Sequence, residues 1–468
     1  MTPAAAIEHP QSAPRPAVRS VQPIARRKIR IRIHFSIGYS WPGIIGLVLL
    51  LSVGGVFYLC PVHYLSDGGF SLLMDEAIIH EWTPNMLTYQ PPRGHGGIYI
   101  NDGYPWNIKT IQGRLLYVYP WGSSLLSLPL VGVFNAAGLR VAPHHKYNGD
   151  NESRMQAIIA AGLCAFTIWV IYQAAGYLLP LPWSLLVALS AAFGTSIWSS
   201  ASRSLWPQNW AVFLTSIAIW ILLSRSITPL LLGTVLAWSC LVRPQMIPDV
   251  AAITAYLLVQ YQRPFLWRYV VAGAFWAIPV CAMVRYFTGG LFSALYSAGM
   301  LDFPHEFWWR LYGVLLSPSR GLLVFSPVVL IPLYLTIRYW KVLPERRLAI
   351  LALVIVGIHL VMLSSWITWW GGGSYGPRLL LEAVPWLVLL AILGLRAFLE
   401  NDHLPERRHL MMGSIATLIL IASIAINAPG ALAANSINWR SDLDGRHLGP
   451  LWDWHDPQFL CWVQRLQR

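Results

Sequence analysis

Long uncharged apolar runs dominate the chain, and they constrain its fold more than any other feature. A helix that crosses a bilayer needs about 20 mostly apolar residues. Eleven stretches reach or approach that length, at 37–59, 155–178, 181–199, 207–224, 228–242, 246–261, 268–287, 321–338, 348–366, 380–399 and 410–427. The expected fold is an all-α polytopic membrane protein of about 11 transmembrane helices. Composition agrees. Of 468 residues, 56% are hydrophobic and 11% charged, against roughly 25% charged in a soluble protein. Twenty-four Trp and 20 Tyr suit a chain with two membrane–water interfaces to anchor. These values exclude a disordered chain, a coiled coil, a collagen and a single soluble domain.

The net charge of +13 would suit a nucleic-acid partner, but its distribution points elsewhere. Arg26, Arg27, Lys28, Arg30 and Arg32 precede the first span, which places the N-terminal tail in the cytoplasm. With alternation from there, and residues at span ends assigned to the nearer side, the inside carries 17 Lys and Arg against 5 Asp and Glu. The outside carries 16 against 15. The excess charge therefore orients the protein, and no nucleic-acid partner is implied. The chain divides into a basic cytoplasmic tail, 1–36, a transmembrane bundle, 37–427, that includes an outer loop, 60–154, and an outer C-terminal tail, 428–468. No cleavable signal pattern precedes the first span. The five cysteines lie far apart with no metal-binding spacing.

The unusual residues fall on the outer face. The first outer loop is too long to be an idle connection. Its segment Leu125–Leu139 is apolar but short and holds Pro129 and Gly132, which reads as a helix lying in the interface. Residues 70–80 read as a second helix, carrying Asp75 and Glu76. Asp67 lies just past the first span, at headgroup depth. One of Asp67, Asp75 and Glu76 can serve as general base toward an acceptor hydroxyl; Asp67 is equally a candidate helix cap.

Four arginines, Arg203, Arg243, Arg320 and Arg378, sit in short outer segments where the charge rule disfavours them, so functional or pairing roles are expected. Arg320 lies in Ser317-Pro318-Ser319-Arg320-Gly321 at a span start, a pattern that suits either anion binding or helix capping. Arg114 can bind a phosphate. The aromatics that follow it, Tyr117, Tyr119 and Trp121, can stack on a sugar or line a lipid groove, or form an interfacial belt. In Trp370-Gly371-Gly372-Gly373-Ser374-Tyr375-Gly376-Pro377-Arg378 three glycines permit close backbone approach to a ligand. Arg378 and Glu382, four residues apart, would share a helix face, as an ion pair or as part of a phosphate clamp. His359 is the clearest ionisable residue deep within a span. No Walker A motif or strand–GxGxxG–helix unit occurs, and few polar groups lie at mid-membrane depth.

These motifs together resemble integral-membrane glycosyltransferases of the GT-C fold, which include protein mannosyltransferases and the lipid A aminoarabinose transferase, and especially bacterial members of uncertain function. The likeness rests on Ser66-Asp67-Gly68 with Ser71-Leu72-Leu73, on Tyr119-Pro120-Trp121-Gly122-Ser123-Ser124, on Ser317-Pro318-Ser319-Arg320-Gly321 and on Gly373-Ser374-Tyr375-Gly376-Pro377-Arg378. It implies a bacterial inner-membrane enzyme with a periplasmic active site, a polyprenyl-phosphate sugar as donor and a catalytic Asp67. The acceptor would be a glycan, a lipid or a protein. Members often carry an acidic pair at this place; here Gly68 follows Asp67, leaving Asp75 or Glu76 to supply a second carboxylate. No cofactor is required on this reading, and a divalent cation is admissible. Arg378 and Arg320 lead as phosphate ligands, with Arg114 and Arg243 behind them; Tyr117, Tyr119, Trp121, Tyr375, Trp370 and Glu382 would line the substrate. The alternatives are a lipid-linked oligosaccharide ligase or polymerase using a pyrophosphate carrier, and a non-enzymatic transporter or flippase of lipid-linked sugars.

Overall fold

The computed structural model describes residues 41–94, 99–100, 103–224, 227–290, 306–401, 405–437, 439 and 448–461. The basic tail 1–36 lies outside the described residues. Sixteen α-helices occur among them: α1 Trp41–Leu59, α2 Ser71–Glu81, α3 Gly122–Ala136, α4 Gly149–Ala175, α5 Leu181–Phe193, α6 Ser196–Ser199, α7 Pro207–Leu223, α8 Pro229–Val242, α9 Ile247–Gln260, α10 Arg263–Thr288, α11 Phe307–Leu316, α12 Leu322–Phe325, α13 Leu330–Arg338, α14 Arg346–Ser364, α15 Val384–Asn401 and α16 Glu406–Leu432. Helix occurs in every one of the eleven apolar runs. Six helical segments are long and apolar enough to cross a membrane, and α5 with α6, bent by 41°, makes a seventh. Of the other four runs, three hold shorter apolar helices, among them α7 and α8, and 246–261 holds α9.

Local chemistry starts and stops these helices. Asn148 caps α4 by accepting from Asn151 N at 3.0 Å, and Asp150 and Glu152 lie in its first turn. Pro207 and Pro229 open α7 and α8, where a missing N–H costs nothing. The last turn of α1 leaves orphan carbonyls. Arg203, fully buried, donates to Phe57 O there and to Val62 O at 3.4 Å. It is a helix-end cap, its cation set where the helix dipole is negative.

Burial separates centre from rim. In α4, and in the span that ends in α15, 78% of the apolar window is buried; in α10 and α16 only 11% and 6% are. α4 packs against α1, α5 and α7, while α15 packs against α13. The outer helices expose large apolar side chains such as Phe275, Ile278 and Leu418, as a lipid-facing surface does.

The loop after α1 is built separately. α2 packs on α3, whose Ser123, Ser124 and Ser127 are buried while Val133 is exposed. Two small antiparallel hairpins, not expected from the sequence, lie between those helices: β1 Tyr99–Ile100 with β2 Tyr104–Pro105, and β3 Ile108–Ile111 with β4 Arg114–Tyr117. The β3–β4 turn is Gln112-Gly113, with φ of 52° and 75°. Two successive positive φ angles are the mark of the two-residue hairpin turn whose twist matches its strands.

Candidate active site

Asp67 lies in the tight turn that carries the chain from α1 into α2. Gly69 N donates to Ser66 O at 2.8 Å and Ser71 N to Gly68 O at 3.0 Å. A Cβ on Gly68 would stand 2.1 Å from Leu205 O, so the turn packs against that backbone only because the residue is glycine. Two α4 side chains, one helical turn apart, fix the turn from below. Gln156 Nε2 donates to Gly68 O at 2.7 Å, and Glu152 accepts from Leu72 N at 3.3 Å. Glu152 thus satisfies an N–H that helix geometry leaves orphaned at the start of α2.

The β3–β4 hairpin brings aromatic hydroxyls to the same turn. Tyr117 OH donates to the backbone carbonyl of Asp67, and Tyr119 OH to Asp67 Oδ1 at 3.1 Å. Asn107 Nδ2 donates to Ser66 O at 2.7 Å. Burial, then the negative charge of Asp67, push the Tyr119 phenol far above its ordinary value, so it remains a hydrogen-bond donor.

The second carboxylate oxygen meets the other half of the chain. Arg378 Nη1 donates to Asp67 Oδ2 at 2.8 Å, with side-chain exposures of 8% and 15%. Arg378 Nη2 donates to Gly371 O at 3.0 Å, and its guanidinium stacks 3.8 Å from the centre of the Trp206 ring. Buried guanidinium groups are held in this way when carboxylate, carbonyl and aromatic face all converge.

Arg320 stands beside it with a different set of partners. Its Nε donates to Trp370 O at 2.7 Å, Nη1 to Ser319 O at 2.7 Å and to Gln458 Oε1, and Nη2 to Gly372 O at 3.1 Å. All four acceptors are neutral. Arg320 is 3% exposed, and among the described residues no carboxylate pairs with it. Burial, then the charge of Arg378, pull its guanidinium below its ordinary value, as expected of a cation short of counter-charge. The glycine-rich loop therefore turns its carbonyls to the arginines, with Gly371 and Gly372 at φ of 74° and 66° to make that turn.

Asp67, Tyr117, Tyr119, Arg320 and Arg378 thus meet at one seam, and Trp370 supplies a carbonyl to it. The structure places the other sequence candidates elsewhere. Asp75 and Glu76 are buried in the α2–α3 packing: Ser124 donates to Asp75, and Asn135 Nδ2 to Glu76 at 2.8 Å. Both bond to α3, and neither is bonded to Asp67, Arg320 or Arg378 among the described residues. Burial raises the Asp75 carboxyl well above the usual carboxylate range, which favours the neutral acid. Arg114 stacks over the Tyr286 and Phe287 rings of α10, at 5.4 and 5.0 Å. Trp121 is buried with its Nε1 on Tyr117 O, and Tyr375 OH anchors to Ile426 O at 2.6 Å.

Arg378 and Glu382 do not pair. Residues Arg378–Ala383 form a 3-10 helix, not an α-helix. At three residues per turn, a side chain four positions on points about 120° away. Glu382 instead meets Arg243 at 2.9 Å, both nearly buried. Below them His359 Nε2 lies 2.8 Å from Asp249 Oδ2, another closed pair. Among the described residues, no three of His, Cys, Asp and Glu gather in a way that could hold a metal ion.

Several residues at the seam escape sequence reasoning. Trp206 carries the stacking face for Arg378, Gln458 bonds Arg320 from the C-terminal tail, and Glu152 with Gln156 fixes the Asp67 turn. Tyr64 is a fourth case. Its hydroxyl is buried with no hydrogen-bond partner among the described residues, amid the charges of Arg378, Asp67 and Arg320. The spacing of Glu152 and Gln156 on one helix face was a usable signal; nothing local marks the others.

No family model matches the sequence, and no curated protein matches it. The fold is shared with a solved structure, ArnT from Cupriavidus metallidurans bound to undecaprenyl phosphate. The two align with a TM-score of 0.50 and 13% identity, over 91% of this chain and 76% of that one. The chain therefore shares the polytopic helical fold of that structure.

Proposed function

We propose that the protein is a membrane glycosyltransferase that moves a sugar from a polyprenyl-phosphate donor to an acceptor hydroxyl, with inversion, at the periplasmic face. The observation that carries this reading is the charge of the seam. Two guanidinium groups, Arg378 and Arg320, face one carboxylate, Asp67, leaving a buried surplus of one positive charge. Buried cations are stable when paired. A phosphodiester donor brings one negative charge and closes the balance. The fold shared with ArnT, which was solved with undecaprenyl phosphate, supports the same donor class.

In the reaction Asp67 takes the proton of the acceptor hydroxyl as its oxygen attacks the anomeric carbon. The bond from that carbon to the phosphate oxygen breaks, and polyprenyl phosphate leaves carrying a second negative charge. Arg378 and Arg320 meet that growing charge, as fixed donors do in a low-dielectric site. Arg378 would exchange one carboxylate contact for phosphate when donor binds, freeing Asp67 to act as base. Two guanidinium groups suffice for the leaving charge, so turnover needs no divalent cation on this reading. A pyrophosphate carrier brings more negative charge than the seam leaves unmatched, since Glu382 already neutralises Arg243 and Arg203 caps α1.

The test is release of polyprenyl phosphate from a panel of radiolabelled polyprenyl-phosphate sugars, by purified protein in lipid nanodiscs, with and without EDTA. Asp67→Asn and Arg378→Ala run alongside. Release that survives EDTA and is lost in both variants is the expected result. Turnover confined to a pyrophosphate-linked glycan would replace this reading with that of a ligase. Absence of both binding and turnover would favour transport.

A further inference from the structure

We infer that the C-terminal segment completes the anion site, with Gln458 acting as a positioning residue for Arg320. This inference rests on the phosphate reading of the seam. Gln458 is 1% exposed and uses its whole amide. Its Oε1 accepts from Arg320 Nη1 and from Gly376 N at 3.0 Å. Its Nε2 donates to Ser374 O at 3.0 Å and to Ser436 O at 3.1 Å. One side chain thus ties together the start of α12, the glycine-rich loop and the 3-10 turn that follows α16.

The rest of the described tail holds it there. Ser317 Oγ donates to Leu451 O at 2.6 Å, and Asn435 Nδ2 to Cys461 O at 2.6 Å. Trp452 stacks on Tyr312 and Trp309 of α11, with centroids 5.1 and 4.2 Å away. Trp439 puts its ring 5.9 Å from the Arg320 guanidinium.

The choice of an amide has chemical content. A carboxylate at this position would accept the same Arg320 N–H and would also cancel its charge. The amide orients Arg320 while leaving its charge for a ligand. Its fixed donor and acceptor ends, each already matched, set the guanidinium plane. Gln458 has no need to touch the substrate to do this.

The experiment is a double-mutant cycle on affinity for undecaprenyl phosphate, in nanodiscs, with Arg320→Met, Gln458→Met and the double variant. Loss of a charged hydrogen-bond partner is expected to weaken binding about 10- to 100-fold for Arg320→Met and less for Gln458→Met. If Gln458 acts through Arg320, the double variant binds no worse than Arg320→Met alone. Multiplication of the two losses would make Gln458 a simple anchor of the tail and overturn the inference. Gln458→Glu, made in wild type and in Arg320→Met, provides a second test. It keeps length and acceptor but loses the donor bonds to Ser374 O and Ser436 O, so an anchoring role predicts the same fold-loss in both backgrounds. The positioning role predicts a loss in wild type that is absent in Arg320→Met, because the new charge acts by pairing with Arg320. Wild-type protein that fails to bind undecaprenyl phosphate at all would overturn the phosphate reading itself; wild-type binding with additive losses would overturn this inference alone.

Discussion

Two regions built around the loop after α1, with Asp67 and Asp75 only a few residues apart in sequence, treat charge in opposite ways. The α2–α3–α4 packing holds three buried carboxylates, Asp75, Glu76 and Glu152, contacted by hydroxyls, amides, a backbone N–H and one histidine, with Asp75 Oδ2 left unbonded among the described residues. The seam at Asp67 holds two buried guanidinium groups against one carboxylate. The first region resolves its charge internally, through burial that favours the neutral acid at Asp75. The second cannot, because its arginines keep their protons at neutral pH. A carboxylate buried among hydroxyls is therefore compatible with structure alone, as is Arg203 at a helix end, whereas Arg320, buried beside a second guanidinium, points to a ligand. That contrast separates Asp67 from Asp75 and Glu76 where sequence position could not.

The sharpest way to break the comparison is to neutralise Asp67. Asp67→Asn keeps the shape of the turn and an acceptor for Tyr119 but removes the base. Turnover is expected to fall about 10²- to 10⁴-fold, the usual weight of general base catalysis. Undecaprenyl phosphate affinity should hold or rise, since Arg378 loses its internal competitor. A parallel loss of affinity and turnover would mean that Asp67 merely holds Arg378 in place.

The next largest effect concerns the other ion pair on the same 3-10 turn. Arg243 and Glu382 are sealed, at 8% and 2% side-chain exposure, and their charges balance. Glu382→Gln removes the carboxylate that balances a buried guanidinium, which typically costs about 3–5 kcal/mol of stability. Replacing both partners by Met should recover most of that loss, because a closed pair is often neutral against apolar isosteres. Thermal unfolding of the single and double variants checks this. If the double variant folds well yet no longer binds undecaprenyl phosphate, Arg243 belongs with the phosphate ligands after all.

Much of the architecture was legible because hydrocarbon leaves a chain few options. Runs of the right length became helices, and the two loop helices fell close to where apolar and turn residues put them. The expected outer placement drew equal attention to Arg203, Arg243, Arg320 and Arg378, since arginines in short outer segments need a physical reason, and it left Asp67, Asp75 and Glu76 undivided. Partner choice was not legible. Arg378 and Asp67 are 311 residues apart, and the nearer Glu382 looked better until the 3-10 geometry rotated it away. Trp206 and Gln458 are ordinary residues in their local contexts; only tertiary packing makes one a stacking face and the other a guanidinium clamp. The β3–β4 hairpin was hidden because its strands, of four residues each, are too short to carry a period.

The smallest expected effect is the most pointed test of the contrast, because it concerns the region that should be silent. Burial holds the folded-state pKa of Asp75 well above its ordinary value of 3.8. Between those two values the unfolded chain is ionised there while the folded chain keeps its proton. The folded state then binds more protons, so this group's contribution to stability falls as pH rises through that window. Asp75→Asn carries the neutral form at every pH and lacks that fall. The variant should match wild type near pH 4 and gain on it progressively toward pH 7, as a small rise in unfolding temperature with turnover retained. Ser124, which now donates to Asp75, keeps an acceptor in the amide oxygen. A turnover loss in Asp75→Asn as large as in Asp67→Asn would transfer the role of base to Asp75. It would also dissolve the distinction between a carboxylate that packs and one that reacts.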